Sequence, residues 1–248
     1  MSICIVIPFY NEEKRLGDCA YLKELNQNPE IDYVFVDDGS TDGTLSILRS
    51  EFPDREIITY GKNKGKGGAI REGLLRALEK DYTMVGYLDS DGAFTSNDVG
   101  RVVRIARNIF SVDKSKSMVI GSRIRTEFNS IERTLIRSIA SYFVKAILKR
   151  YLRKFESPPF DTQSGFKLLR SSVQLGRFLE NEFKTKWFFD VEIMIGMGYF
   201  GMIEEVTLTS WYDVKKSHIG MASVVTVCKE LNIIKHIAYA KKLNDHHI

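Results

Sequence analysis

Asp89 and Asp91 stand one residue apart, with Ser90 between them, directly after the apolar run at 84–88. In extended backbone alternate side chains share a face, so this spacing lets both carboxylates turn toward one site. Carboxylate oxygens suit Mg2+ or Mn2+, ions that keep waters and bridge to substrate phosphates. The bland reading is an exposed turn, because Asp, Ser and Gly all favour turns. Asn11-Glu12 and Asp37-Asp38 close two earlier apolar runs in the same way, and Asn63 to Gly68 follows a third. Ligands of open parallel sheets collect at the carboxyl ends of the strands, so this repetition points to a ligand site. The glycine-rich GKNKGKGGA lacks the G-x-x-x-x-G-K-[ST] order of a phosphate loop, and no dinucleotide fingerprint follows the first run. Its glycines would still admit a ligand closely, with Lys62, Lys64 or Lys66 adding positive charge.

The elements that must hold these residues recur as strand, loop and helix. Strands are expected at 3–7, 31–36, 57–60 and 84–88, with helices at 14–27, 44–50 and 68–80 between them, then a helix at 98–110 and a strand at 117–120. That alternation is the βαβ signature of an α/β fold, a mostly parallel central sheet flanked by helices. After Arg125 the regularity changes. A long amphipathic segment leads to a Ser157-Pro158-Pro159 break and the polar stretch DTQSGFK. Helices near 171–180 and 189–198, a β-rich run at 202–209 and a mixed helix from 219 to 243 complete the chain. No linker rich in Pro, Gly or Ser divides it, so one domain is expected, with a catalytic part at 1–215, a functional insertion at 131–156, and a helical extension at 216–248.

Hydrophobic residues at 44% and charged residues at 27% exclude a disordered chain. A net charge of +4 is too small to imply nucleic acid, and none is expected as a partner. Three cysteines without metal-ligand spacing read as reduced structural thiols. The opening MSICIVIPFYNEE reads as a first strand and not as a signal peptide, and no stretch reaches the roughly 18 apolar residues of a membrane span. A cytoplasmic protein is the expectation.

Taken together and in order, IVIPFYNEE, VFVDDGSTDGT, NKGKGGAIREG, YLDSDGAF, IGSR, DTQSGFKLL and FFDVEI resemble the inverting GT-A glycosyltransferases of family 2. Within that family the likeness is to the dolichyl- and polyprenyl-phosphate hexosyltransferases, and DTQSGFK and FDVE look like the versions of the glucose-transferring branch. The resemblance implies a GT-A fold and transfer of a hexose, glucose above all, from a nucleotide sugar such as UDP-glucose to a polyprenyl phosphate lipid. It implies that Pro8, Asn11 and Glu12 shape the nucleotide pocket, that Asp38 contacts the base, and that Asp37 and Lys66 line the donor site. Asp89 and Asp91, with Ser90, would hold the metal on the donor diphosphate. Arg123 and Gln163 would lie near the diphosphate and acceptor phosphate, and Asp190 and Glu192 near the reaction centre, as candidates for a general base. The family's Ser-Lys pair is replaced here by Ser217-His218, which removes a fixed positive charge on the acceptor side that Lys215 or Lys216 would have to supply. Two other chemistries fit the same residues: transfer to a hydroxyl of a glycan or surface polymer, and nucleotidyl transfer.

One segment carries the basic charge. Arg133, Arg137, Lys145, Lys149, Arg150, Arg153 and Lys154 face a single Glu132 between 131 and 154. Arg133, Arg137, Ser141, Lys145 and Lys149 recur every four residues beside an apolar row of Leu135, Ile136, Ile139, Phe143 and Ile147. A helix over 133–152 with that pattern either packs its apolar row on the sheet or lies on an anionic membrane surface. A peripheral position on the cytoplasmic face of a membrane follows from the second reading. Trp187 and Trp211 fit sugar stacking and core packing equally well, and of the four histidines only His218 stands near functional residues.

Overall fold

In the computed structural model the described residues are 1–17, 19–132, 135–153, 155, 157–212 and 221–245, without the side chains of 135–141, 221–224 and 242–245. The expected strands form: β1 (Ile3–Phe9), β2 (Asp32–Asp37), β3 (Glu56–Thr59), β4 (Met84–Leu88) and β5 (Met118–Ser122). Between and after them run α1 (Glu13–Leu16), α2 (Ala20–Leu25), α3 (Thr44–Glu51), α4 (Gly65–Leu78) and α5 (Ser96–Val112). The single helix expected at 14–27 is thus two short ones, because Gly17 and Cys19 both take positive φ, 48° and 58°. Thr95 caps α5 by accepting from the Asp98 N–H at 3.2 Å.

The second half holds β6 (Ser130–Glu132), α6 (Leu135–Leu152), β7 (Phe166–Arg170), α7 (Val173–Leu179), α8 (Phe189–Met197), β8 (Ile203–Thr207), β9 (Ser210–Tyr212) and α9 (Met221–Asp245). Seven strands make one sheet in the order β3-β2-β1-β4-β7-β5-β8, and β6 pairs with β9 apart from it. All neighbours in the large sheet are parallel except β7, which runs antiparallel to both β4 and β5. The stretch read as polar at 161–167 therefore ends inside a central strand. Lys167 and Arg170 disguise it in the sequence, and both are paired in the structure. Lys167 lies fully buried against Asp190, and Arg170 donates to the carbonyls of Phe110, Asp113 and Lys116.

Alternation along β1 sends Ile3, Ile5, Ile7 and Phe9 to one face and Cys4 and Val6 to the other. The first face packs on α2, α3 and α5, the second on α4, α7 and α8, with α6 and α9 closing the outside. This is the mostly parallel α/β sheet with helices on both faces expected from the sequence.

The amphipathic segment packs on the core by a row beside the one read from sequence. Val144, Leu148, Tyr151 and Leu152 of α6 face the core with Leu231 and Ile234 of α9, a spacing of one helical face. Phe143 and Ile147, of the apolar row read from sequence, are 61% and 36% exposed. Lys145, assigned to the outer basic row, lies 3.5 Å from the buried Asp161. Among the described residues no helix is long and apolar enough to cross a membrane.

Candidate active site

Pairing of β1 with β4 stops at Val6–Tyr87, whereas β1 stays with β2 as far as Phe9–Asp37. The strand order runs outward from this seam in both directions, the topological switch point at which open α/β sheets take ligands. Pro8 lies just beyond the last β4 pair, so its missing N–H breaks no bond to that strand. Asn11 then adopts φ 52°, a left-handed conformation that Asn tolerates. Its N–H donates to Ser40 Oγ at 3.0 Å, and its Oδ1 accepts from the Thr41 N–H at 2.8 Å. The Glu12 N–H donates to Thr44 Oγ1 at 2.8 Å, so the loops after β1 and β2 form one unit.

Asp37 and Asp38 are both buried. Asp37 accepts from Thr59 Oγ1 at 2.9 Å and from the Ser40 N–H at 3.3 Å. Asp38 accepts from Tyr60 Oη and Asn63 Nδ2, each at 2.9 Å, and from the Lys64 N–H at 2.7 Å. The two carboxylates tie the end of β2 to β3 and to the start of α4, which aims α4 at the seam.

Lys66, in the first turn of α4, brings Nζ to 2.5 Å from Asp89 Oδ1. Burial opposes the Lys66 charge, but Asp89, Asp190 and Asp91 outweigh it and raise its pKa. The Asp89 N–H donates to the Gly165 carbonyl at 3.0 Å. A β-carbon on Gly165 would collide with the Asp89 carboxylate, so glycine is what lets this acid sit against β7. Asp91 accepts from the Ala93 N–H at 3.1 Å, and burial together with Asp89 holds its carboxyl above the usual range. Burial likewise raises Glu12, with Asp91 adding to the effect. Glu12, Ser90 and Asp91 line one cleft with Tyr21 and Arg15. Neighbouring carboxylates that resist ionising together, with an ammonium drawn onto one of them, fit a divalent cation shared with a phosphate. Among the described residues no group of three or more His, Cys, Asp or Glu is placed to enclose a metal.

Beyond β7 the charges are matched. Arg123 donates from Nε and Nη2 to both oxygens of Asp161 at 2.8 and 2.9 Å, and from Nη2 to the Gln163 carbonyl at 2.6 Å. Its guanidinium lies 5.1 Å from the centre of the Trp211 ring, a cation–π distance. Trp211 is a core residue, whereas Trp187 is 51% exposed. Burial works against ionising Asp161, yet Arg123 and Lys145 hold its carboxyl far below the usual carboxylate range. Gln163 Nε2 and the Val191 N–H both donate to Asp190 Oδ1 at 2.9 Å, and Lys167 Nζ donates to Asp190 Oδ2 at 2.9 Å. Burial lowers the Lys167 pKa, with Asp190 opposing it.

Glu192 does not join Asp190. Two residues along a helix turn a side chain by about 200°, and Glu192 faces the other way, accepting from the Lys184 and Thr185 N–H groups at 3.0 and 2.6 Å. Lys215 and His218 lie outside the described residues. Asp161, Gly165, Lys167 and Lys145 were not singled out for this site from sequence. The first three stand in or beside the DTQSGFK motif, whose only residue chosen there was Gln163.

Residues 4–174 match the glycosyl transferase family 2 profile. The chain is 33% identical to the dolichyl-phosphate beta-glucosyltransferase of Saccharomyces cerevisiae, covering 94% of this chain and 74% of that protein. It is 29% identical to the Homo sapiens protein of the same name, over 88% of this chain and 69% of that one. Among solved structures, glucosyl-3-phosphoglycerate synthase from Mycobacterium tuberculosis, in complex with Mn2+ and UDP-glucose, superposes with a TM-score of 0.61 at 16% identity. That match covers 98% of this chain and 78% of the other and shows a shared fold.

Proposed function

This chain belongs to glycosyl transferase family 2, and from that premise we propose that it transfers glucose from UDP-glucose to a dolichyl-type polyprenyl phosphate with inversion at the anomeric carbon. The observation that carries the choice of acceptor is the state of Asp190. A carboxylate offers about four lone-pair positions; Asp190 has three donors on it, one of them the buried Lys167 ammonium. Glu192 faces the 184–185 backbone. Neither acid is placed as a free base for deprotonating a hydroxyl, and an acceptor that arrives as a phosphate anion needs none. It needs cations, and Arg123 and Lys145 stand together on that side.

In this reading a phosphate oxygen of the acceptor attacks the anomeric carbon while the bond to the diphosphate breaks and its electron pair leaves with UDP. Asp89 and Asp91 would hold a divalent cation, Mg2+ or Mn2+, whose chemistry is to neutralise the charge gathering on the departing diphosphate. Lys66 lies beside Asp89 and would add a fixed positive charge there. Pro8, Asn11, Glu12 and the Asp37-Asp38 turn shape the nucleotide pocket, and the whole chain works as one catalytic domain. Exposed Tyr142, Phe143 and Ile147 stand on α6 with exposed Lys149, Arg150 and Arg153 close by. We read this surface as the one that rests on an anionic bilayer, where a lipid phosphate presents itself.

Incubation of the protein and a divalent metal with UDP-glucose and either a polyprenyl phosphate or the matching polyprenol tests the proposal. Consumption of the phosphate with release of UDP is expected. Glucosylation of the polyprenol alone would assign a hydroxyl acceptor, and release of pyrophosphate would assign nucleotidyl transfer. Flotation with anionic vesicles after changing Lys149, Arg150 and Arg153 to Glu tests the membrane contact, and undiminished binding would remove it.

A further inference from the structure

The loop before α8 is held in an unusual way. Four successive backbone N–H groups, from Lys184 to Trp187, donate to just two carboxylates. Glu192 of α8 takes those of Lys184 and Thr185 at 3.0 and 2.6 Å, and Glu230 of α9 takes those of Lys186 and Trp187 at 3.0 and 2.9 Å. Both acids are about 6% exposed. Burial pushes Glu192 up, with the loop's donors opposing it. Burying two acids to pin four adjacent residues costs free energy that a freely solvated loop would not require.

What the clamp displays is an indole. Trp187 is 51% exposed although Phe188 directly after it and Thr185 two residues before it are buried. The loop also leans on the donor side of the site: the Lys186 stem packs over Gly65 at the start of α4, 3.2 Å from where a β-carbon would lie. The next residue of α4 is Lys66, the cation on Asp89. Lys186 thus joins the loop to the start of α4, whereas Arg123 and Lys145 lie beyond β7.

We propose that the Glu192–Glu230 clamp presents Trp187 as a stacking platform for the pyranose ring of the nucleotide sugar. An indole face offers a large, rigid apolar surface at small entropic cost, and the C–H face of a hexose is the part of the donor that lacks charge. The nucleobase falls to the Asp38 end of the seam, and the diphosphate to Asp89 and Asp91. This inference rests on the nucleotide-sugar reading above.

Fluorescence provides the test, because the chain has only Trp187 and Trp211. UDP-glucose should change the emission of the wild-type protein, UDP at saturation should not, and Trp187→Phe should lose the response. Trp187→Ala should raise the KM for UDP-glucose by about 3- to 10-fold, with UDP inhibition unchanged and Phe restoring part of the loss. Glu230→Gln should move the sugar KM in the same direction and leave UDP binding alone, as a positioning residue would. An equal response to UDP would overturn the proposal by assigning the indole to the nucleotide. A response only to a polyprenyl phosphate would overturn it by assigning the indole to the acceptor. An unchanged KM in Trp187→Ala with normal UDP-glucose binding by calorimetry would also overturn it, whereas absence of any UDP-glucose binding to the wild type would sink the nucleotide-sugar reading itself.

Discussion

The two sides of the seam handle charge in opposite ways. On the β1–β4 side Asp89, Asp91 and Glu12 stand close together, with Lys66 on Asp89 and Arg15 on Glu12, and burial, reinforced by the neighbouring carboxylates, pushes Asp91 and Glu12 up. On the β7–β5 side each buried acid has a buried or half-buried partner: Asp161 with Arg123 and Lys145, Asp190 with Lys167. Crowded acids leave a site that gains by taking up a cation. Paired acids form a frame that holds its side chains still and leaves one positive charge over at Asp161, where Arg123 and Lys145 face a single carboxylate. A transferase that releases a diphosphate and receives an anion has use for both, the first where negative charge must be neutralised on demand and the second where a fixed cation must keep its place.

This contrast breaks hardest at Asp161. Asp161→Asn leaves Arg123 buried without its counter-charge, and removing one partner of a buried pair destabilises by about 3–5 kcal/mol. Urea unfolding would measure it; a loss under 1 kcal/mol would mean that the pair is not structural. The pH dependence has a definite sign. The folded carboxyl is held below its unfolded value of about 3.9, so its stabilisation is complete above that pH and disappears as pH falls through the folded value. The wild type should therefore lose stability below about pH 4 more steeply than the variant does.

Asp91→Asn acts on the other side. It should lower kcat by at least about 100-fold, in keeping with loss of a key transition-state stabiliser, and leave thermal unfolding unharmed or improved, since it removes a repelled charge. A Mn2+ titration of turnover checks this, and an unaltered metal requirement would remove the assigned role. Gly165→Ala tests the border between the halves. Its new methyl pushes on the Asp89 carboxylate, and a displaced charge should cost about tenfold in turnover, less than the roughly 10²-fold that gross misplacement brings. Full activity with unchanged metal affinity would show that Asp89 has room to spare.

The first half was legible because its signals are local. Each strand end lies a few residues from the loop it feeds, so Asn11, Asp37, Asp38 and Asp89 could be placed at one sheet edge by counting elements. The motif order added the family, and with it the fold. The second half resisted for a physical reason. The strand at 166–170 is hidden behind the polar DTQSGFK because its Lys167 and Arg170 are paired with Asp190 and the end of α5, partners 20 or more residues away. In α6 the choice between two adjacent apolar rows fell to α9, which received Val144 and Leu148 and left Phe143 outside.

Composition and spacing by themselves determined that this chain builds a parallel α/β sheet with acids at its carboxyl edge. Only the tertiary structure decided which acids stay crowded and which are neutralised. It placed β7 antiparallel between β4 and β5, which brought Gly165 against Asp89 and Lys167 beneath Asp190, and it turned Glu192 away to hold the loop that carries Trp187. Coulombic and hydrogen-bonding partners are set by distance in space, which sequence separation does not encode once the strand between them changes direction.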